Sequence, residues 1–386
     1  MIPDGWKRKN LGEVITLQRG FDLPEQDRIH GTIPIISSSG ITEFHNESKV
    51  SPPGIVTGRY GTIGKVFLVD VDFWPLNTSL WVKDFYGNDH RYVYYLLQSI
   101  DYKKLSDKTG VPGINRNDVH KLRVLLPPFL EQCRIAEILG VWDESIDLLE
   151  KLIEKTRSRK QGLMQQLLTG KKRFKEFNYP KEDWEKVSFD NCVSSMTSGL
   201  SRKLSTQDIG IPVLRSSNIG EKYTDFNDLK YWYLEDPQGA NTKNYILDDG
   251  DILINFINSI SQIGKGCIFK NCLDRDCIYT TNILRIKPNT RISSDFFYLV
   301  TQTEQYRLYI QSITKPAINQ ASFTTKELKE FTFLLPPIPE QEKIAAVLSA
   351  ADEEISTLEK QLAAYKQQKL GLMQQLLTEK IRVGTI

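Results

Sequence analysis

Residues 58–66 of this chain read Gly-Arg-Tyr-Gly-Thr-Ile-Gly-Lys-Val, a glycine-spaced run closed by a lysine, of the kind that wraps phosphate. A phosphate loop needs glycine where Arg59 stands and Ser or Thr where Val66 stands, because the hydroxyl binds magnesium. The run therefore offers no ATP site. An amino-methyltransferase that acts on DNA places Asp or Asn before Pro-Pro and an aromatic, to accept the exocyclic N–H of the base. Here Leu126 and Leu335 precede two Pro-Pro pairs and Ser51 precedes a third, and no glycine-rich loop after a strand offers an S-adenosylmethionine site. Cys267, Cys272 and Cys277 are evenly spaced but fit none of the short zinc-knuckle spacings. His30, His45, His90 and His120 show no HExxH or i, i+4 relation. The chain is expected to hold no catalytic centre and no metal.

The elements that position the remaining residues are set by a repeat. LLPPFLEQCRIAEILGVWDESIDLLEKLIEKTRSRKQGLMQQLLTGKKRF, from Leu125, returns without a gap from Leu334, with about half the positions identical. The period of roughly 209 residues far exceeds the 20 to 50 of a solenoid, so a whole globular domain separates the copies. Each copy carries a heptad seam: Ile135, Leu139, Trp142, Ile146, Leu149, Ile153, Thr156, Lys160, Leu163 and Leu167, then Ile344, Leu348, Ala351, Ile355, Leu358, Leu362, Tyr365, Lys369, Leu372 and Leu376. Pro127-Pro128 and Pro336-Pro337 stop the preceding strand, and Gly170 supplies a stop after the first helix. Two seams in one chain are expected to pair. Lys160 and Lys369 are the polar members, read as stems packed on the seam with their ammonium groups reaching water, or as register-setting residues.

The globular parts repeat faintly. Gly5-Trp6-Lys7 is echoed by Asp183-Trp184-Glu185, Ile33-Pro34-Ile35-Ile36 by Ile211-Pro212-Val213-Leu214, Ile63-Gly64-Lys65 by Ile263-Gly264-Lys265, Asn77-Thr78 by Thr281-Asn282, and Gly113-Ile114-Asn115 by Ala317-Ile318-Asn319. Short β-rich runs such as GIVTGRY, KVFLVD and DILINFI alternate with the apolar helices YVYYLLQ and FFYLVTQ, which predicts an α+β class. The expected partition is a domain over 1–126, a helix over 127–173, a second domain over 174–335 and a second helix over 336–386.

Composition agrees: 386 residues with 40% hydrophobic and 25% charged content suffice for two cores. No apolar run approaches the roughly 20 residues of a membrane span, and the start lacks a signal-peptide core, so a cytoplasmic, membrane-free protein is expected. Five cysteines suit reduced thiols. The net charge of +2 excludes neither nucleic-acid nor protein partners.

The ordering of domain, LPPFLEQCRIAEIL with its helix, domain, and LPPIPEQEKIAAVL with its helix resembles the specificity subunit of type I restriction-modification systems. The resemblance implies two pseudo-twofold-related target recognition domains separated by two long antiparallel coiled-coil helices. Each domain would read one half of a bipartite, asymmetric site in double-stranded DNA, and the helices would set the unread gap. Two methyltransferase subunits carrying S-adenosylmethionine would methylate an adenine in each half-site, and restriction subunits using ATP and magnesium could join. The chain itself would bind no cofactor and catalyse nothing. An orphan or type IIB-like subunit guiding methylation alone is the nearest alternative. A coiled-coil adaptor between protein-binding domains is a more distant one.

Polar, glycine-flanked loops supply the candidate DNA-binding residues. In the first domain these are Arg19, Ser38, Arg59, Tyr60, Lys65, Asn115 and Arg116; in the second, Arg202, Arg215, Ser216, Asn258, Gln262, Lys265, Lys315 and Gln320. Arg bonds guanine bidentately and Asn or Gln bonds adenine, whereas Lys and Ser more often take phosphate. GLMQQLLT is identical in both copies, so Gly162, Leu163, Met164, Gln165 and Gln166, with Gly371, Leu372, Met373, Gln374 and Gln375, are expected to form two equivalent partner-docking surfaces. If the helices act as a ruler, inserting about four residues, roughly 6 Å, into one of them lengthens the unread gap and leaves both half-sites intact. Mapping methylated sites checks this, and altered half-sites would refute the ruler.

Overall fold

The computed structural model describes residues 5–106, 112–177, 184–317, 320–378 and 380–383. Asp183 and Ile318-Asn319, members of two of the echoes, lie outside them. The chain divides into two compact units, residues 1–152 with 358–386 and residues 153–357. Each unit thus contains a globular domain and parts of both long helices.

The first domain has a four-stranded antiparallel sheet in the order Thr16–Arg19, Ser79–Asp84, Gly54–Gly58, Val66–Val69. A three-stranded sheet follows the order Gly40–His45, Ile33–Ser37, Trp74–Pro75, its last pair parallel. Lys7–Asn10 pairs with Arg123–Leu126 and closes the domain on itself. Helix α1 (His90–Gln98) is capped by Asp89, and α2 (Arg116–His120) by Asn115. The long helix α3 (Phe129–Leu167) follows the Pro-Pro pair.

The second domain repeats this plan. Val193–Ser198, Ile283–Pro288, Ile252–Asn255 and Gly266–Ile268 form its four-stranded sheet. Lys230–Trp232, Ile211–Leu214 and Ile278–Tyr279 form the three-stranded one, again with a parallel last pair. Glu185–Ser188 and Thr332–Leu335 are the closing pair. The helices are α4 (Ser294–Thr301), α5 (Glu304–Ile313), α6 (Thr325–Lys329) and the long α7 (Ile338–Leu377). The isoleucine-proline echo is therefore structural: both copies form the middle strand of the three-stranded sheet.

At 39 and 40 residues, α3 and α7 each run to roughly 60 Å. Every predicted seam position is buried or half-buried. Within the first unit Lys369 pairs with Asp143 and Lys366 with Glu150; within the second, Lys160 pairs with Asp352 and Arg159 with Glu354. In each unit the segments run antiparallel. The two seam lysines thus meet carboxylates of the facing helix. Gly170 takes φ +67°, the left-handed conformation suited to a helix stop.

Both helices enter both cores. Ile135 and Leu139 of α3 and Met373, Leu376 and Leu377 of α7 join Leu11, Tyr92 and Leu97 in the first unit; Leu167, Leu168, Ile344 and Leu348 join Phe189, Phe296 and Phe331 in the second. Packing into two similar cores accounts for the apolar identity within GLMQQLLT. Leu163, Met164, Leu372 and Met373 lie against these cores, Gly162 and Gly371 are half-buried, and Gln165, Gln166, Gln374 and Gln375 face outward.

The repeated Glu-Gln also has a definite task. Glu131 accepts the Trp6 indole N–H at 3.0 Å and the Arg382 guanidinium at 3.0 Å; Glu340 accepts the Trp184 indole N–H at 3.0 Å and Arg173 at 2.7 Å. Gln132 donates to the Pro127 carbonyl and accepts from the backbone N–H of Asp89, the cap of α1. Gln341 does the same with Pro336 and Ser293, the cap of α4. Arg173 is only 10% exposed whereas Arg382 is 45% exposed, so the Glu340 pair is the drier of the two. Replacing Glu340 with Ala takes away the carboxylate that Arg173 and Trp184 share and should cost about 3–5 kcal/mol. Glu131→Ala should cost less, because water reaches Arg382. Urea denaturation of both variants checks the order.

Candidate nucleic-acid interface

In the first domain, Arg19, Arg59, Tyr60, Asn115 and Arg116, five of the seven residues expected to read DNA, line a single cleft of about 540 Å³. Its floor is built where the segment after strand Gly54–Gly58 crosses the segment before α2. Tyr60 bridges to Gly113, and the Ile114 N–H donates to the Arg59 carbonyl at 2.9 Å. A side chain at position 113 would put its Cβ 2.6 Å from the Tyr60 ring, so any residue larger than glycine would displace that ring. The Arg59 guanidinium lies 4.5 Å from the Tyr60 ring centre and donates to the Asn77 carbonyl at 3.3 Å, which holds its plane.

Arg19 pairs with Asp22 at 2.8 Å, and Asn77 donates to the same carboxylate. Asn115 accepts the Asn117 N–H at 2.9 Å as the cap of α2, which leaves Arg116 at the first helical position, exposed. Helix α2 is anchored to the strand carrying Arg19: the Leu17 N–H donates to His120 Nε2 at 2.9 Å. Burial, and then the Arg116 guanidinium, push the His120 imidazole below its ordinary pKa, so the ring is neutral and accepts.

Two of the expected residues stand elsewhere. Ser38 is buried and lies beneath Gly58 and Gly61, where it supports the loop. Lys65 borders another cavity of the first unit, of about 580 Å³, together with Gln98, Asp143, Lys366 and Lys369. Sequence reasoning missed Gly113, Asp22 and Asn77 as builders of the cleft. The echoes at positions 77 and 113 were the available signal.

The second domain makes its crossing in the equivalent place as a small sheet. Ile257–Asn258 pairs with Ala321–Ser322, which pairs with Lys315–Pro316. Asn258 stands opposite Ala321, directly after the exposed Gln320. Gln262 and Lys265, both exposed, occupy the turn that follows, where the Lys265 N–H donates to the Gln262 carbonyl at 3.2 Å. Lys315 pairs with Glu327 at 2.8 Å, and that ammonium, with the Thr324 hydroxyl and N–H, holds the Glu327 carboxyl down at about 2.

Arg202, Arg215 and Ser216 do not belong to this small sheet. Arg202 bonds the fully buried side chain of Asp236, holding that carboxyl at about 2. Arg215 donates to Asp228 at 2.8 Å, and Ser216 opens the short turn Ser216–Asn218 at the end of strand Ile211–Leu214. All five cysteines are free thiols, and burial pushes Cys267 up to about 12 and Cys277 up to about 11. Among the described residues no group of three or more His, Cys, Asp or Glu could hold a metal ion, and no helix is long and apolar enough to cross a membrane.

The model of the type I restriction modification DNA specificity domain matches this chain twice, at residues 3–156 and 181–365. The chain is 32% identical to the putative type I restriction enzyme MjaX specificity subunit of Methanocaldococcus jannaschii over 215 residues, 53% of this chain and 50% of that one. It is 21% identical to the type I restriction enzyme EcoKI specificity subunit of Escherichia coli K12 over 422 aligned residues, 99% of this chain and 89% of that one. Its fold is shared with the crystal structure of the type I restriction-modification S subunit from M. genitalium, with a TM-score of 0.59, 16% identity, and 97% and 96% of the two chains covered.

The two kinds of arginine should separate experimentally. Arg116→Ala should weaken DNA binding without changing stability, whereas Arg202→Ala should destabilise by leaving the buried Asp236 carboxylate with backbone N–H donors but no countercharge. Because the folded state lowers the Asp236 pKa, that penalty is full above the ordinary carboxylate value near 4 and shrinks as pH falls towards 2. Denaturant titrations across this range, beside DNA-binding curves, test both statements.

Proposed function

Because the chain belongs to the family of type I restriction-modification specificity subunits, we propose that it selects the DNA site for a methyltransferase and restriction complex, with each globular domain reading one half of a bipartite, asymmetric target. The observation that carries this reading is the cleft of Arg19, Arg59, Tyr60, Asn115 and Arg116, together with the equivalent crossing in the second domain at Asn258, Gln320 and Lys315. These groups are donors and acceptors suited to base edges and phosphates, held by backbone pairing so that little order is lost on binding.

The partners follow from the same reading. Two methyltransferase subunits bring S-adenosylmethionine, flip one adenine in each half-site and methylate it at N6; this chain tells them where. Restriction subunits bring ATP and magnesium. The outward Gln165-Gln166 and Gln374-Gln375 pairs, the exposed part of the identical segment, offer two matching contacts for two copies of one partner. The paired long helices fix the unread gap between the half-sites. The chain supplies recognition and no catalytic group.

Expression with the methyltransferase subunit, followed by single-molecule sequencing of host DNA, tests the proposal. The expected result is a bipartite motif with a fixed gap and a modified adenine in each half, absent when this chain is omitted. Affinity of the complex should fall log-linearly with salt, as counterions are released from several phosphates. A shallow salt dependence with no motif would refute DNA selection.

A further inference from the structure

The equivalent crossings of the two domains present different chemistry. In the first, the cleft carries three guanidinium groups. Arg19 and Arg59 are oriented by Asp22 and by the Tyr60 ring, and the Arg116 side chain has no hydrogen bond or ion pair among the described residues. A guanidinium with its fork unoccupied matches the O6 and N7 acceptors of guanine.

The second domain has no arginine at its crossing, and every arginine of residues 184–335 already has an acceptor. Arg202 bonds Asp236, Arg215 Asp228, Arg275 Asp208, Arg291 Glu185 and Arg307 Glu304, while Arg285 is buried against the Ile246 carbonyl. What the crossing offers instead are amides. Asn258 uses its Oδ1 to accept the Ser259 N–H at 2.7 Å, a local bond that fixes the side chain, and Gln262 and Gln320 are exposed. Among the described residues the side chains of Gln262 and Gln320 make no hydrogen bond. An amide presents one donor and one acceptor side by side, the complement of adenine N7 and N6–H, and a poor match for the two acceptors of guanine.

Resting on the function proposed above, we infer that the two half-sites differ in kind: the first domain reads guanine through Arg116, and the second reads adenine through Gln262 and Gln320. The adenine read by the second domain is distinct from the one methylated, because a flipped base presents its edges to the methyltransferase. Lys265, exposed beside Gln262, meets phosphate and adds affinity without discrimination.

The test uses the complex of this chain with its methyltransferase subunit and the duplex found by methylation mapping. Replacing each guanine in turn by 7-deazaguanine, and each adenine by 7-deazaadenine, removes N7 and little else. One half-site should lose affinity on guanine replacement and the other on adenine replacement, each by on the order of tenfold or more. Arg116→Ala should abolish the guanine effect, and Gln262→Ala with Gln320→Ala the adenine effect, while the opposite half-site is still read as before. All three side chains are exposed, so folding is not at stake, and melting curves matching that of the parent chain confirm it. Guanine effects in both halves, or variants that weaken every duplex equally, would overturn the inference and leave bipartite selection standing. The absence of any bipartite motif would overturn both.

Discussion

Two buried carboxylates organise this chain. Glu131 and Glu340 lie in the first turn of the long helices and are almost inaccessible to water, at 1% and 0% exposure. A carboxylate in that position is tolerable only with full pairing. Each receives an indole N–H from near the start of its own domain and a guanidinium from just beyond the end of the other long helix. The adjacent glutamines add the preceding proline carbonyl and the capping residue of an apolar helix in the domain. One dipeptide therefore fixes where the domain begins, where the helix leaves it and where the opposite helix returns. Loss of any one of these bonds leaves a buried charge or amide one partner short.

The helix pairing depends on a weaker but more selective device. A seam made only of apolar side chains tolerates a slip of one heptad, since the same types recur every seven residues. Lys160 and Lys369 replace apolar residues at equivalent seam positions, and each finds an aspartate on the facing segment. A slip in register would strand both ammonium groups on an apolar surface. Lys369 also lies 5.2 Å from the centre of the Tyr95 ring, whose hydroxyl donates to Asp143 at 2.7 Å, so the ion pair is joined to the domain as well as to the helix. Seam register and domain position are thereby set together.

Much of this was legible because it rests on repetition and period. The heptads located α3 and α7, and the apolar runs from Tyr92 and Phe296 located α1 and α4. The short helices α2 and α6 carry too few apolar residues to announce themselves, and the small sheet of the second domain is made of two-residue strands. The candidate site was legible in its residue types but not in its grouping. Arg59 and Arg116 share a cleft because distant segments cross at Gly113, a non-local fact. Arg202 and Arg215 looked equally available in sequence, yet their acceptors Asp236 and Asp228 lie 34 and 13 residues away, and only the fold brings them together. The identical GLMQQLLT segment, read for its surface, owes its apolar half to the cores.

The same pairing lets a chain of net charge +2 keep local unneutralised cations, as the proposed contact with DNA requires. Four acidic residues, Asp236 and Glu340 buried, Glu327 half-buried and Asp228 exposed, each neutralise a cation whose position they also fix. Arg116 and Lys265 are left without a carboxylate partner among the described residues, and both lie at the crossings that bear the polar, exposed side chains. Bulk charge averages over both populations and hides the second. For attraction to a polyanion the relevant quantity is the local field at the binding face, which a few unneutralised cations dominate within a Debye length of about 8 Å at physiological salt. Asp236 and Asp228 thus serve two ends at once, since each fixes an arginine, Arg202 or Arg215, and neutralises a cation that stands away from the small sheet of the second domain.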